Sequence, residues 1–460
     1  MRKVAIVGSG IIGLVAAHGL RRRGYDVTLY SDRTAEQWLH ESRPTGTAAR
    51  FDIAMAYERE LGLNHWDAVA PRGEGVFLTF CPKIRKPLIE LLGRPRTPFQ
   101  AMDVRLQCHR WMNDFDGELV VGNVTLEGLD AIAARHDLTI VAAGKSELTA
   151  LFPRDASRSV YDAPQRNLAM FAVTGAGPYP NCPFAPVKFE ALATDGEAFF
   201  VPYYHKDRGA SWNLVFEAKP GSRMDVFHGV TDGAAALEIA KKMVAEVFPW
   251  SAAWMRDMEL SDPLGWLTGR IAPTVRKAVG VLPSGRLVTP LGDTAISYDP
   301  IAAQGANSGV KQARHLVESI VARGERPFDA RWMTATFDAF WHGHARQMCA
   351  FNNMFLDPLP KGAQEILIAQ NGSDGLADND SPQQRMANAF FSNFNDPREL
   401  TDALLDVRRA RQFIAETTGR HWLRSAVRGR VRAVLGKKPA FWSAAAPAAA
   451  LDARGASRGS

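Results

Sequence analysis

Three glycines spaced as Gly8-x-Gly10-x-x-Gly13 stand between two apolar runs, Val4-Ala5-Ile6-Val7 and Val27-Thr28-Leu29-Tyr30. That pattern predicts strand, tight turn, helix and second strand, a βαβ unit aiming a helix N-terminus at a dinucleotide pyrophosphate. Gly8 allows the turn, Gly10 lets the backbone approach the phosphates, and Gly13 lets helix and strand pack closely. A secretory leader opened by Arg2-Lys3 is the alternative; the glycines, Arg21-Arg22-Arg23 and the following strand argue against it. A carboxylate is expected at the end of the second strand, on the ribose hydroxyls. Ser31 holds that place, and Asp32, followed by Arg33, projects from the opposite face if the strand continues. A lost charge-assisted hydrogen bond costs about 1.5–3 kcal/mol. Either Asp32 curls back to the ribose or the cofactor is held loosely.

A second constellation lies far down the chain. Gly285–Leu291 reads as a strand ending in Gly292-Asp293, followed by Asp299-Pro300 and by Gln304-Gly305-Ala306-Asn307 opening a helix through Val321. Asp293 is placed to accept from a ribityl hydroxyl. A helix starting near Gly305 would aim its N–H groups at the electron-rich end of a flavin. Alone, this segment reads as a capped helix with turn glycines; paired with the N-terminal βαβ unit, it favours FAD.

Together these motifs resemble the flavoprotein monooxygenases of the aromatic-hydroxylase fold, and more closely the oxygenase component of styrene and indole monooxygenases. The carrying segments are Val27–Arg33, Asp103-Val104-Arg105-Leu106, Asp137–Lys145, Gly269–Arg276, Gly292–Asn307 and Asn393-Phe394-Asn395-Asp396-Pro397. The fold implied is α/β: a Rossmann-like FAD-binding domain of the aromatic-hydroxylase type, an inserted β-sheet substrate domain and a helical C-terminal region. The resemblance also implies cofactor contacts at Arg33, Arg105, Gly144 and Pro300, besides the glycines, Ser31, Asp32, Asp293, Gly305 and Ala306 already named.

Only one dinucleotide fingerprint is present. Self-sufficient hydroxylases of this fold use an Asp-Gly motif toward NAD(P)H, and here that segment reads Ala142-Ala143-Gly144-Lys145. The resemblance therefore implies a two-component system, in which a separate NAD(P)H-dependent flavin reductase delivers reduced FAD and O2 is the co-substrate. The chemistry is the flavin's. Oxygen transfer to a neutral alkene or electron-rich ring needs no general base, so the protein's part is to exclude water and stabilise charge. Candidate donors are the backbone around Gln304, Gly305 and Ala306, with Arg43 and Asn307. Two departures from the family pattern concern the pocket: Ala303 stands where glycine is expected, and Gly46 and Ala48 bring small side chains to the substrate. Alanine disfavours positive φ, so Ala303 is expected in a helical or extended conformation, or the pocket floor shifts. The competing readings are a self-sufficient NAD(P)H-dependent hydroxylase and a non-catalytic flavin-binding protein. A flavin-dependent halogenase lacks support, because Trp250 and Trp254 do not make a Trp-x-Trp-x-Ile signature.

At 460 residues the chain should form two or three units. The expected division is a FAD-binding domain over 1–159 and 266–330, a substrate sheet over 160–265, a helical region over 331–438 and a disordered tail over 439–460. Strand-like runs at 168–173, 198–204 and 211–216 and a helix at 234–248 characterise the inserted block. No run of eighteen apolar residues occurs, and Cys81, Cys108, Cys182 and Cys349 are scattered, favouring a cytoplasmic protein with reduced thiols. His342-Gly343-His344 is the only metal-like pair, and no metal is expected. The net charge of +6 conceals an asymmetry: residues 420–460 hold nine Lys/Arg and one acid, while residues 1–419 hold 46 bases and 48 acids. Nucleic-acid binding is therefore unsupported. Leu423, Val427, Val431 and Leu435 recur beside Arg420, Arg424, Arg428 and Arg432, predicting a basic amphipathic helix. Such a helix either docks its apolar row on its own domain or offers it to an acidic membrane or partner. A homodimer is compatible with all of this.

Overall fold

The computed structural model describes residues 2–47, 49–144 and 147–436. The expectations for Ala48, for Lys145 and for the tail over 439–460 fall outside the described residues. The chain opens with β1 (Lys3–Val7), α1 (Ile11–Arg21) and β2 (Asp26–Ser31). Next come β3 (Gly75–Cys81), β4 (Ile89–Gly93), α2 (Val104–Asn113), β5 (Glu118–Val121) and β6 (Leu138–Val141). The middle holds β7 (Asn167–Thr174), β8 (Pro186–Leu192), β9 (Gly196–His205), β10 (Gly209–Ala218), α3 (Gly233–Val247), β11 (Glu259–Leu260) and β12 (Trp266–Gly269). The last third holds β13 (Gly280–Val281), β14 (Leu287–Pro290) and α4 (Gln304–Arg323). The C-terminal helices α5 (Lys361–Ala369), α6 (Pro382–Ser392), α7 (Val407–Thr418) and α8 (Trp422–Leu435) complete it.

Two sheets dominate. The first runs β13-β14-β6-β1-β2-β5, parallel except for the β13–β14 hairpin. Its central strand β1 is buried from Val4 to Val7, as a parallel strand covered on both faces must be. The second runs β11-β7-β10-β9-β8-β3-β4, with β12 also paired to β7. It reaches beyond the expected inserted block, because β3 and β4 come from within the first segment and β3 joins β8 in parallel. Long-range parallel pairing leaves no local turn signal to read.

Alternation on this second sheet separates two faces. Phe171, Phe200, Trp212, Leu214 and Phe216 pack outward beneath α3, whose Leu237, Ala240, Val244 and Val247 are buried as its periodicity predicts. The opposite face, which carries Met170, Ala172, Val187, Phe199, Val201 and Asn213, turns toward the first sheet's layer. Residues 330–436 are mainly helical, with a connection over 370–381. His342 and His344 lie in a turn of π-helix, and His344 stacks on Phe340. Among the described residues no group of side chains is arranged to hold a metal, and no helix is long and apolar enough to cross a membrane.

Candidate active site

The glycine turn has the geometry its spacing predicts. Gly8 has φ +120°, and a Cβ there would lie 2.4 Å from the Ala142 carbonyl oxygen at the end of β6. A Cβ on Gly13 would lie 2.0 Å from the Gly8 oxygen. Gly10 is the opposite case: a Cβ there meets nothing within 4 Å, and α1 starts without a side-chain cap. The first N–H groups of α1 are therefore left for an anion.

Behind the turn runs a chain of hydrogen bonds. Trp38 Nε1 donates to Ser9 Oγ at 2.9 Å, Ser9 Oγ lies 2.6 Å from Ser31 Oγ, and Ser31 Oγ donates to the Arg33 carbonyl. Ser31 is fully buried in this chain. Asp32 does not curl back: Arg33 grips its carboxylate through Nη2 at 2.6 Å and Nε at 3.0 Å, half-exposed. Trp38 and Ser9 were missed in the sequence, where a polar residue inside a glycine turn carries no distinctive signal.

The second constellation converges on the same region. Gly292, at φ +62°, donates its N–H to Gln312 Oε1 on α4, and a Cβ there would press on Ile12 of α1. Asp293 is exposed, its carbonyl accepting from Arg276 Nη1. Asp299 is buried and its Oδ1 accepts the Ile301 N–H, so Pro300 begins a single 3-10 turn. Gly144 donates its N–H to Thr294 Oγ1 and, like Gly305, has open space where a Cβ would be.

Ala303 departs from the expectation. It keeps the left-handed conformation, φ 53° and ψ 33°, that a glycine would adopt more easily. The conformation is imposed by its surroundings. The Ala303 N–H bonds to the Pro300 carbonyl, and its own carbonyl accepts from Asn307 Nδ2 at 2.7 Å. Asn307 also donates to the Ala49 carbonyl at 2.8 Å and accepts from the Phe51 N–H at 2.8 Å. Its whole amide is thus occupied in pinning Ala303 to the segment 49–51. Gln304 Nε2 ties the Ala302 carbonyl to the Phe394 carbonyl in the Asn393–Pro397 segment. What these side chains leave toward the cleft is backbone: α4 starts without a side-chain cap, with Gly305 and Ala306 half-buried at its mouth.

Arg43 is exposed, with Nη1 on the Trp266 carbonyl at 2.9 Å and its guanidinium over the Trp266 ring. Gly46 faces open space, and Thr47 Oγ1 donates to Asn213 Oδ1 at 2.7 Å. Arg105 sits deeper than a direct cofactor contact requires. It is fully buried, forked onto Asp103 and also bonded to Asp262 at 2.8 and 3.1 Å. His205 Nδ1 accepts the Asp207 and Arg208 N–H groups, leaving Nε2 to donate to Asp262 at 2.7 Å. Burial would raise the Asp262 pKa, but the bonds from His205 and Arg105 hold it well below the usual carboxylate range. Asp262 and His205 were not singled out in the sequence; only the Asp103-x-Arg105 pair carried a signal.

A second buried cluster lies at the other end of the inner sheet face. Arg166 forks onto Glu197 at 2.7 and 3.1 Å, and the Glu217 and Asp299 carboxyls are buried beside each other. Burial, with the neighbouring Asp299 carboxyl adding to it, pushes the Glu217 carboxyl well above its ordinary pKa. The two clusters bind the sheet to the layer below at both ends. Between them the face is apolar: Ala172, Val201 and Tyr203 pack with Ala49 and Ala101, and Val187, Phe199 and Ala303 border them. This apolar face thus packs against Ala303, the residue that precedes α4.

The open positions at Gly10, Gly144 and Gly305 and the two uncapped helix starts fit a dinucleotide with a ring system at one end. Fold and site suit a flavin-dependent monooxygenase with FAD as cofactor, and the relatives agree. Residues 144–253 match the model of the substrate-binding domain of styrene monooxygenase A, and residues 6–67 match that of an NAD(P)-binding Rossmann-like domain. The chain is 26% identical over 430 residues to styrene monooxygenase StyA of Pseudomonas fluorescens, covering 90% of this chain and 97% of that one. To StyA of a Pseudomonas species it is 25% identical over 433 residues, covering 90% and 98%. In fold it is similar to p-nitrophenol 4-monooxygenase PnpA of Pseudomonas putida DLL-E4, with TM-score 0.54, 14% identity and 89% and 99% of the two chains covered. The protein is a styrene monooxygenase-like, FAD-dependent oxygenase.

Proposed function

We propose that this oxygenase takes reduced FAD from a separate NAD(P)H-dependent flavin reductase and transfers one oxygen atom of O2 to a small aromatic or alkene substrate, styrene- or indole-like. One oxygen atom enters the substrate, the other leaves as water, and the flavin supplies the two electrons. The observation that carries the reading is the apolar inner sheet face over the start of α4, closed at both ends by buried charge clusters. It excludes water and receives a neutral molecule. The backbone N–H groups of Gly305 and Ala306 meet developing negative charge at the ring end, where the helix dipole favours it. The N–H groups after Gly10 hold the pyrophosphate. Gly46 leaves room beside the substrate.

Dependence on a reductase is supported by Ala142-Ala143-Gly144, which lacks an Asp-Gly motif, and by the ribose side. With Ser31 bonded inward and Asp32 held by Arg33, the ribose has no unengaged carboxylate at the end of β2. A cofactor that must arrive and leave suits that arrangement. The test combines the purified protein, FAD and NADH with and without a flavin reductase. The expected outcome is negligible NADH oxidation alone, and styrene oxide from styrene once the reductase is added. Rapid NADH oxidation by the isolated protein would overturn the two-component reading.

A further inference from the structure

The helix α8 docks through a face its sequence did not advertise. Ser425, Ala426 and Gly429 are buried. Gly429 lies so close to α5 that a Cβ would fall 1.8 Å from the Ile368 carbonyl oxygen, and Asn371 Nδ2 donates to the Gly429 carbonyl. Trp422 lies under the Arg411 guanidinium of α7, 4.0 Å from ring centroid to cation. The apolar row faces away: Leu423 is 46% exposed, Val427 and Val431 50%, Leu435 61% and Val434 84%. A solvent-facing row of five large aliphatic side chains on one helix calls for a covering.

Its borders say what covers it. At about 100° per residue, Leu423, Val434, Val427 and Val431 form one stripe. Arg430 lies about 20° beyond one edge and Arg424 about 20° beyond the other, with Arg428 next to it. None of these three arginines makes an ion pair or side-chain hydrogen bond among the described residues, and no acid occurs from Arg420 to Leu435. A second copy of the helix repeats the same positive charge. Residues 437–460 add Lys437, Lys438, Arg454 and Arg458 against Asp452 alone, so that segment is also like-charged. A stripe of aliphatic groups flanked by unpaired arginines is complementary to an anionic lipid surface, with apolar groups at the acyl boundary and guanidiniums at the phosphates.

We infer that the outer face of α8 is a membrane-surface docking site, which holds the oxygenase on anionic lipid while its inner face stays bound to α5 and α7. The inference is independent of the chemistry at the flavin site.

The experiment is co-sedimentation of the full chain with phosphatidylcholine vesicles and with vesicles containing one third phosphatidylglycerol. Binding is expected to the anionic vesicles only, falling at least tenfold in high salt. Each arginine near the surface contributes roughly fivefold, so R424Q/R428Q/R430Q should weaken binding about a hundredfold. Val427→Asp with Val431→Asp should abolish it while FAD binding, read by flavin fluorescence, is unchanged. A chain ending at Gly436 should still bind. Equal binding to neutral vesicles, undiminished binding by the double aspartate variant, or loss of binding on truncation at Gly436 overturns the inference. So does a result in which vesicles fail but a flavin reductase or a second copy binds through the same valines.

Discussion

Two helix starts face the region proposed to hold the cofactor, and they are built differently. α1 and α4 both begin without a side-chain cap, and each has a glycine, Gly10 or Gly305, where a Cβ would meet nothing. Before α1 the turn is fixed chiefly by backbone contact, since Gly8 and Gly13 leave no space for a single carbon, with Ser9 tied to Ser31 and Trp38 behind it. Before α4 the turn passes through Ala303 in the left-handed region, and the conformation is enforced by side chains. Asn307 and Gln304 reach back to carbonyls and an N–H from three separate segments. The same device for meeting negative charge is thus enforced by close packing in one place and by a hydrogen-bond web in the other.

The sharpest way to break that contrast is to add one methyl group at each level of the first turn. Gly13→Ala places carbon against the Gly8 oxygen and should lower stability by about 3 kcal/mol or more, with FAD binding lost. Gly10→Ala should leave thermal unfolding within about 0.5 kcal/mol of the parent while weakening FAD at least tenfold, because its methyl enters the cradle only. Thermal melts and FAD fluorescence titrations read both. Equal melting temperatures for the two variants would refute the assignment of packing to Gly13 and of binding to Gly10.

The second turn should fail through its web. Asn307→Ala leaves two carbonyls and one N–H without their side-chain partner, at about 1–3 kcal/mol for each group left buried and unsatisfied. A loss of about 3 kcal/mol or more, with FAD affinity reduced through displacement of Ala303, is expected. Were unfolding unchanged while oxygenation disappeared, Asn307 would be acting on the reaction rather than on the turn.

A pH difference follows from the carboxyl pair, which approaches only the second turn. Glu217, packed against Asp299 and near Arg166 and Glu197, is protonated in the fold at pH values where the unfolded chain has lost that proton. Its folded pKa is raised, so the stability it contributes is full below about pH 4.5 and falls as pH rises toward the folded pKa. Glu217→Gln keeps a neutral group of the same shape and removes this slope. Its melting temperature should match the parent below about pH 4.5 and exceed it increasingly as the pH rises above that value. His344 acts on the acid side: burial first, then the charges of Arg398 and Lys311, lower it to about 4. Stability is therefore lost as pH falls from 6.5 toward 4, and His344→Leu should flatten that limb.

These contrasts also explain what was legible in the sequence. The glycine turn, the amphipathic α3 and the helical C-terminal region follow from local spacing, because sterics and periodicity act over a few residues. Three features did not show. Ala303 was expected to abandon positive φ or to shift the pocket floor, but its conformation is decided by Asn307 and the segment 49–51, which no local preference reports. Arg105 was expected at the cofactor, and the partners that enclose it, Asp262 and His205, lie far away in sequence. The apolar row of α8 marked a helix correctly, yet the docked face is Ser425, Ala426 and Gly429, because small residues allow the closest backbone approach to α5. In each case partners far along the chain outweighed the local pattern.

The smallest effect is the one at Ala303 itself, and it tests the contrast most directly. A left-handed alanine is strained by roughly 1–2 kcal/mol, and glycine gives back about 0.5–1 kcal/mol of that through the freedom it gains on unfolding. Ala303→Gly should therefore raise stability by no more than about 1 kcal/mol and leave FAD affinity unchanged, since the web already holds the conformation. Placed on the Asn307→Ala background the same substitution should gain less than it does alone, because an Ala303 no longer held there sheds the strain that glycine would relieve. A double-mutant cycle on thermal stability measures that difference. Simple additivity would mean that Ala303 adopts its conformation without Asn307, and that the second helix start, like the first, is set by backbone packing.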